Sequence, residues 1–479
     1  MTSDTSSSPS ALRPFIILDE LPPDPGLVGY IAGDPVLFVP SAVEEDTRRW
    51  TDAGYRVLNV SDLVTHETVN EAKKTASDVM KALWHVPLEG RPLYDQFVYR
   101  GVHLADVAHA HLVSALVEAL NRLAAFDDFL TKERFGEMGV PRATGPWSRV
   151  GVELARARGI PLRRLRRLPP RAPLWPPTLR SLTQRLPDAA RRWREHREAA
   201  SATAAFVNRF PGSDQPPPEP VEVLGVMHYV AEARTIGPLI RQLMTTGRHT
   251  AALVADIWGR AAEVLDEAHL PYTTMQSLGA WHSASKRVDA GTRRLGRLWR
   301  RARETEECRN LVHRGVSIPA LMQSDWRTLG EVSLRHDCLR QYLWWIEMCA
   351  RTFEYWSPRL VLLADEAMPF GAILVEMAER AGIPTLCVLH AALVDHPKHV
   401  AGRATRIAVG GESSRRFLRS RGTPDERIRV VGLPQFDPLA DHAALAAAPI
   451  REQLGIPSGL PVVVYTMLSG VGVTPREEV

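Results

Sequence analysis

The chain has 479 residues, too many for one ordinary domain, and 45% of them are hydrophobic, enough for sizeable cores. With 59 Lys and Arg against 55 Asp and Glu the formal charge is +4, which gives no global argument for nucleic acid. Four scattered cysteines with no C-x-x-C pair speak against a zinc site or a disulfide framework and fit a reducing, cytoplasmic setting. No run reaches the roughly 18 apolar residues of a membrane span, and Met1–Ser10 lacks the basic and apolar regions of a signal peptide.

In chain order, 1–24 reads as a disordered N-terminus and 25–161 as a degenerate Rossmann-like α/β domain. Its opening is a strand over Pro35–Pro40, a helix over Ser41–Ala53 stopped at Gly54, and a strand over Tyr55–Val60. Asp106–Leu123 has helical spacing of Val107, Leu112, Leu116, Leu120 and Leu123. Pro146–Pro161 (PWSRVGVELARARGIP) matches Pro369–Pro384 (PFGAILVEMAERAGIP) at a constant offset of 223 residues, from 146 to 369 and from 161 to 384. The match predicts a repeated α/β layout. In the first copy the next stretch, LRRLRRLPP, replaces an apolar strand, so no site is expected there.

Residues 162–219 read as an Arg/Pro-rich linker. Between Ala155 and Glu198 thirteen Arg stand against three acidic residues. A solvated helix with a tether accounts for this; the functional alternative is a basic surface for anionic lipid at the inner face of a membrane, or for a phosphate-bearing acceptor.

Residues 220–440 read as a second Rossmann-like domain. Glu222–Met227 is a strand followed by His228, Ala231–Thr246 a helix closed by Gly247, and His249–Ala255 and Leu270–Thr274 are strands. Ala280–Ser317 is basic and polar, an expected excursion near a cleft, and Leu329–Trp356 a long aromatic helix. From Pro358 the pattern is strand, helix, strand, loop, strand, helix, strand. Arg359–Ala364 ends on Asp365 and Glu366, Thr385–Leu389 ends on His390, and Arg406–Val409 and Arg427–Val431 complete a parallel sheet. Residues 441–479 read as a crossover and the first strand of a further domain, Pro461–Met467, with Gly470 and Gly472 in the loop after it.

In parallel sheets the chemistry sits at the carboxyl ends of the strands, which here carry His228, Asp365, Glu366 and His390. An imidazole there can take a proton from a hydroxyl near neutral pH, although a capping histidine fits His228 as well. The two carboxylates can bind an acceptor hydroxyl or orient a histidine, or can simply cap the next helix. Gly470 and Gly472 would let a diphosphate approach the backbone. Asp395, His396, Lys398 and His399 read as a solvated loop, and no metal site is expected. The turn Gly410–Gly411–Glu412–Ser413–Ser414 reads as a helix start.

Taken together, LVLLADE, AGIPTLCVLH, RIAVGGESSRRFLRSRG and DERIRVVGLPQFDPL resemble the acceptor-side domain of GT-B glycosyltransferases. The likeness is to capsular polysaccharide transferases, CDP-glycerol glycerophosphotransferase-like proteins and non-hydrolysing UDP-N-acetylglucosamine 2-epimerases, over roughly Val221–Gly472. It implies an α/β fold of GT-B type, with a nucleotide-sugar or CDP-polyol donor as substrate, no separate cofactor, and a carbohydrate or lipid-linked acceptor. It implies a base role for His228 and a cleft shaped by Asp365, Glu366 and His390. Ala391 stands where polysaccharide relatives have Gly, and REQLGIPSGLPVVVYTMLSG resembles the start of a nucleotide domain that the sequence carries only as a truncated stub. The alternatives are epimerisation at a sugar C2, or a non-catalytic acceptor- or partner-binding protein.

Overall fold

The computed structural model describes residues 13–18, 36–39, 44–52, 54–141, 146–165, 220–255, 260–275, 281–322, 338–391, 393, 401–437, 451–457 and 460–462. Two parallel sheets organise them. The first has the order β3-β2-β1-β4-β5, built from β1 (Pro14–Ile17), β2 (Val36–Phe38), β3 (Arg56–Leu58), β4 (Glu137–Pro141) and β5 (Leu162–Leu165). The second has the order β8-β7-β6-β9-β10-β11-β12, from β6 (Val223–Met227), β7 (Thr250–Val254), β8 (Thr273–Thr274), β9 (Leu360–Leu363), β10 (Thr385–Val388), β11 (Arg406–Val409) and β12 (Ile428–Val430). The fold class is therefore α/β with Rossmann-like parallel sheets, as the sequence pattern predicts.

Each sheet starts at an inner strand, steps outward through two strands, then crosses to the other side of the first. The repeat seen in sequence extends through a whole β-α-β unit. β4, helix α4 (Pro146–Arg158) and β5 begin at 137, 146 and 162; β9, helix α9 (Pro369–Arg380) and β10 begin at 360, 369 and 385, each 223 residues on. Gly159 and Gly382, which close the two helices, share a φ of +68°, the left-handed value that favours glycine after a helix.

Three expectations change. Pro14–Ile17, inside the segment read as disordered, is the central strand of the first sheet, and all four of its residues are buried. LRRL, read as the start of a linker, is strand β5. As an edge strand it needs a partner on one side only; its two successive arginines point to opposite faces and both are exposed, and Arg163 reaches Glu137 at 3.3 Å. Ala280–Ser317 is no excursion: Trp281–Ala302 is a continuous helix, α7, packed on α8 (Cys338–Trp356) and burying Val288, Leu295, Trp299 and Ala302. The rest of the Arg-rich segment, 166–219, lies outside the described residues.

Helices α2 (His66–His85) and α3 (His109–Lys132) pack together in the first half as α7 and α8 do in the second. Between each helix pair lies the same two-residue hairpin, Val98-Tyr99-Arg100-Gly101-Val102-His103 and Val312-His313-Arg314-Gly315-Val316-Ser317. Both central residues have positive φ, Arg100 at 48° with Gly101 at 81° and Arg314 at 48° with Gly315 at 78°, the turn that matches strand twist.

The halves exchange contacts through these hairpins. Val102–His103 and the turn after it pack on α9 of the second half; Val316–Ser317 and its following turn pack on α4 of the first. Arg100 reaches Glu347 of α8 at 3.1 Å, while Arg314 binds Glu71 of α2 at 2.5 Å and Asp128 of α3 at 2.5 Å, with Asp127 at 3.3 Å. Arg314→Met should cost about 2 kcal/mol, because three carboxylates lose a largely buried partner, and Arg100→Met about half of that, because Glu347 keeps Arg287. Urea unfolding of both variants measures this; equal losses would contradict the asymmetry.

Candidate functional site

Chain order reverses in the second sheet between β6 and β9, which leave the centre in opposite directions. At such a switch point the helices diverge and open a crevice at the carboxyl ends of the strands. β6 runs into His228, β9 into Asp365 and Glu366, and β10 into His390. Neighbouring strands are about 4.8 Å apart, so the sheet brings all three predicted positions to one rim.

The three positions do different work. His228 is buried, 6% exposed, in a box of rings. It stacks on Phe370 at 4.9 Å and meets Trp345 edge-on at 5.4 Å and Tyr229 at 4.4 Å. Its Nδ1 has no hydrogen-bond partner, and burial pushes its pKa down to about 4. The ring is therefore neutral at physiological pH, and a weak base. Its backbone N–H, with that of Tyr229, donates to the buried carboxylate of Glu232, which fixes the turn from β6 into helix α5 (Val230–Thr245).

Asp365 Oδ1 accepts the Ala367 N–H at 2.7 Å and the Met368 N–H at 3.2 Å, closing the turn that leads into α9. Glu366 turns away from the rim and accepts the Arg403 and Ala404 amides at 2.9 and 2.6 Å. Burial pushes its carboxyl up, and those two amides oppose the shift. The geometry of both carboxylates is that of loop closure.

His390 is half-buried, and its Nδ1 stands 3.1 Å from the Ala364 carbonyl oxygen at the end of the neighbouring strand. A carbonyl only accepts, so in the neutral ring Nδ1 carries the proton and the lone pair is left on Nε2. Gln435 holds the same residue from the other side: its Nε2 donates to the His390 carbonyl at 2.6 Å, and its Oε1 is 3.1 Å from Thr235 Oγ1 on α5. The ring is thus braced by β9 and the backbone by α5.

Glu232, Phe370 and Gln435 were not singled out from the sequence, and Trp345 was read there only as part of an aromatic core stripe. Glu232 carried a readable signal, an acidic residue at the third helical position after a strand. Gln435 carried none, since its role depends on a 3-10 turn folding back from beyond β12. Most of the aromatic helix is core, as expected: Tyr342, Trp345 and Trp356 are buried, and only Tyr355 is exposed. Gly411 caps helix α10 (Glu412–Ser420), the helix start read from sequence. Gly470, Gly472 and the Asp395–His399 loop lie outside the described residues. Among the described residues no cluster of His, Cys, Asp or Glu could hold a metal ion, and no helix is long and apolar enough to cross a membrane.

No protein-family model and no curated protein matches the chain. Among solved structures it is similar to UDP-GlcNAc 2-epimerase from Neisseria meningitidis bound to UDP-GlcNAc, with 14% identity over 48% of this chain and a TM-score of 0.31. It spans about half, 52%, of that enzyme's length. It is also similar to spinosyn rhamnosyltransferase SpnG complexed with thymidine diphosphate, with 13% identity over 79% of this chain and 80% of that one, at a TM-score of 0.15.

Proposed function

We propose that the chain is the acceptor-side part of a GT-B-type transferase that moves a sugar or polyol phosphate from a nucleotide-activated donor to a carbohydrate or lipid-linked acceptor in surface polysaccharide synthesis. The observation that carries this reading is the His390 ring, held on the strand-end rim one strand from the switch point with Nε2 as its basic atom. His390, rather than the ring-boxed His228, is the general base in this reading.

The step is a displacement. The acceptor hydroxyl gives its proton to His390 Nε2 while its oxygen bonds to the donor's anomeric carbon or phosphorus. The bond from that centre to the nucleotide-bearing oxygen breaks, and the nucleotide leaves with the electron pair. Asp365 holds the start of α9, and with it Phe370, which keeps His228 in place; Glu366 ties down the loop before β11. The basic segment 155–198 would hold the protein to an anionic membrane face where a lipid-linked acceptor lies.

Transfer of label from UDP- and CDP-linked donors, followed with wild type and His390→Gln each joined to a nucleotide-binding domain, tests the proposal. His390→Gln should lower kcat about a hundredfold, as the loss of a general base does, with little change in stability. A variant that turns over at the wild-type rate would remove His390 from the mechanism.

A further inference from the structure

The two hairpin arginines occupy corresponding places in the two halves but meet different surroundings. Arg314 faces Glu71, Asp127 and Asp128, and Arg158 shares Asp127. There three carboxylates hold two arginines, so every guanidinium has a negative charge of its own. Arg100 meets one buried carboxylate, Glu347, which also takes Arg287 at 2.9 Å and the Tyr99 hydroxyl at 2.9 Å. Two guanidinium groups thus share one negative charge. Beside them is a cleft of about 490 Å³ lined by Arg100, Arg287, Arg351, Glu354 and Tyr355.

We propose that this cleft binds a phosphorylated sugar, a phosphate or diphosphate ester held across the two halves by Arg100, Arg287 and Arg351. The fully buried Glu347 fixes the first two guanidinium groups before any ligand arrives, so little side-chain freedom is lost on binding. Side chains of Arg100 and Arg287 are 41% and 58% exposed, leaving N–H groups for a ligand. A single carboxylate would satisfy one fork; several phosphate oxygens can serve more than one. Glu354 supplies an acceptor for sugar hydroxyls, and the ring of Tyr355, 43% exposed, offers a flat face for the sugar. On α8, Arg351 lies six residues beyond Trp345, the residue that touches His228, or about 9 Å along the helix. The cleft is therefore separate from the strand-end rim and does not depend on the transferase reading.

Titration calorimetry of the full chain with inorganic pyrophosphate and with glucose 1-phosphate, at low and high salt, tests the site. Saturable binding that weakens with salt is expected, about tenfold weaker in Arg351→Gln and in Arg287→Gln, and unchanged in Arg419→Gln on distant α10. Arg351→Gln is the decisive variant, because Arg287 also holds Glu347; thermal melts confirm that each variant is folded. Co-sedimentation with phosphatidylglycerol vesicles separates the sources. Loss of vesicle binding in Arg351→Gln assigns a lipid-borne phosphate, and unchanged vesicle binding assigns a soluble ester. Absence of saturable binding to both probes, or equal affinity in all three variants, would overturn the proposal.

Discussion

Gly371→Ala is expected to destabilise the protein by at least about 3 kcal/mol, because the added methyl has nowhere to go. A Cβ at this position would lie 1.8 Å from the Asp365 carbonyl oxygen, 2.8 Å from its carbon and 3.1 Å from the Glu366 Cα. All three are backbone atoms, so no side chain can swing aside. The first turn of α9 would have to lift off the end of β9. That movement would loosen the turn that Asp365 closes on Ala367 and Met368, and it would shift Phe370 away from His228. Helix α9 buries every residue from Pro369 to Ala378, so the displacement spreads into packing against α8. Overpacking usually costs about 1–3 kcal/mol and more when the backbone must move, which sets the expected loss at the upper end of that range. Gly296 on α7 is the control: a Cβ added there would meet nothing within 4 Å, and alanine should gain up to about 1 kcal/mol from helix propensity. Urea midpoints of the two variants give the comparison. A Gly371→Ala protein as stable as the Gly296→Ala protein would mean that strand and helix are not packed as described.

The sheet that carries the rim was readable because each strand is a short apolar run bounded by a helix stop. Arg406–Val409 is found at the predicted bounds, and β9, β10 and β12 fall within a residue or two of theirs. β1 was hidden by its setting, four apolar residues after a Ser-rich start, with neighbours supplied from positions 36 and 137. β5 was hidden by its composition, since two arginines in four residues look like a linker until an edge position is known. The roles at the rim were less legible than its membership. Sequence placed His228, Asp365, Glu366 and His390 at strand ends. It could not show that an aromatic residue from the next helix would cover His228, nor that the Ala364 carbonyl would fix the His390 tautomer. Those facts depend on which residues face each other across β6, β9 and β10, a matter of register and rotamer. The hairpin pair illustrates the same limit. V-x-R-G-V is visible twice in the sequence, but the unequal charge around Arg100 and Arg314 comes from helices of the opposite half.

Stability should depend on His228 within one pH window. Its pKa in the folded protein is about 4, below the ordinary value of 6.5, and the cause is burial. Between pH 6.5 and 4 the unfolded chain binds a proton at this position that the folded chain does not. Lowering the pH through that window therefore favours unfolding, and above 6.5 the residue contributes no slope. That displacement corresponds to about 3 kcal/mol accumulated by pH 4. His228→Phe removes the proton site and keeps a ring in the aromatic box between Phe370 and Trp345. The carboxylates held low by arginine, Glu71 beside Arg314 and Asp425 beside Arg415, titrate in both proteins and cancel from the difference. Unfolding free energy measured from about pH 7.5 to 4 should thus fall more steeply in wild type than in His228→Phe, the gap opening below 6.5 and reaching about 3 kcal/mol near 4. Parallel curves would show that His228 takes up its proton in the folded state at an ordinary pH. The ring would then be solvated, and it would regain the place at the rim as a base that its burial denies it.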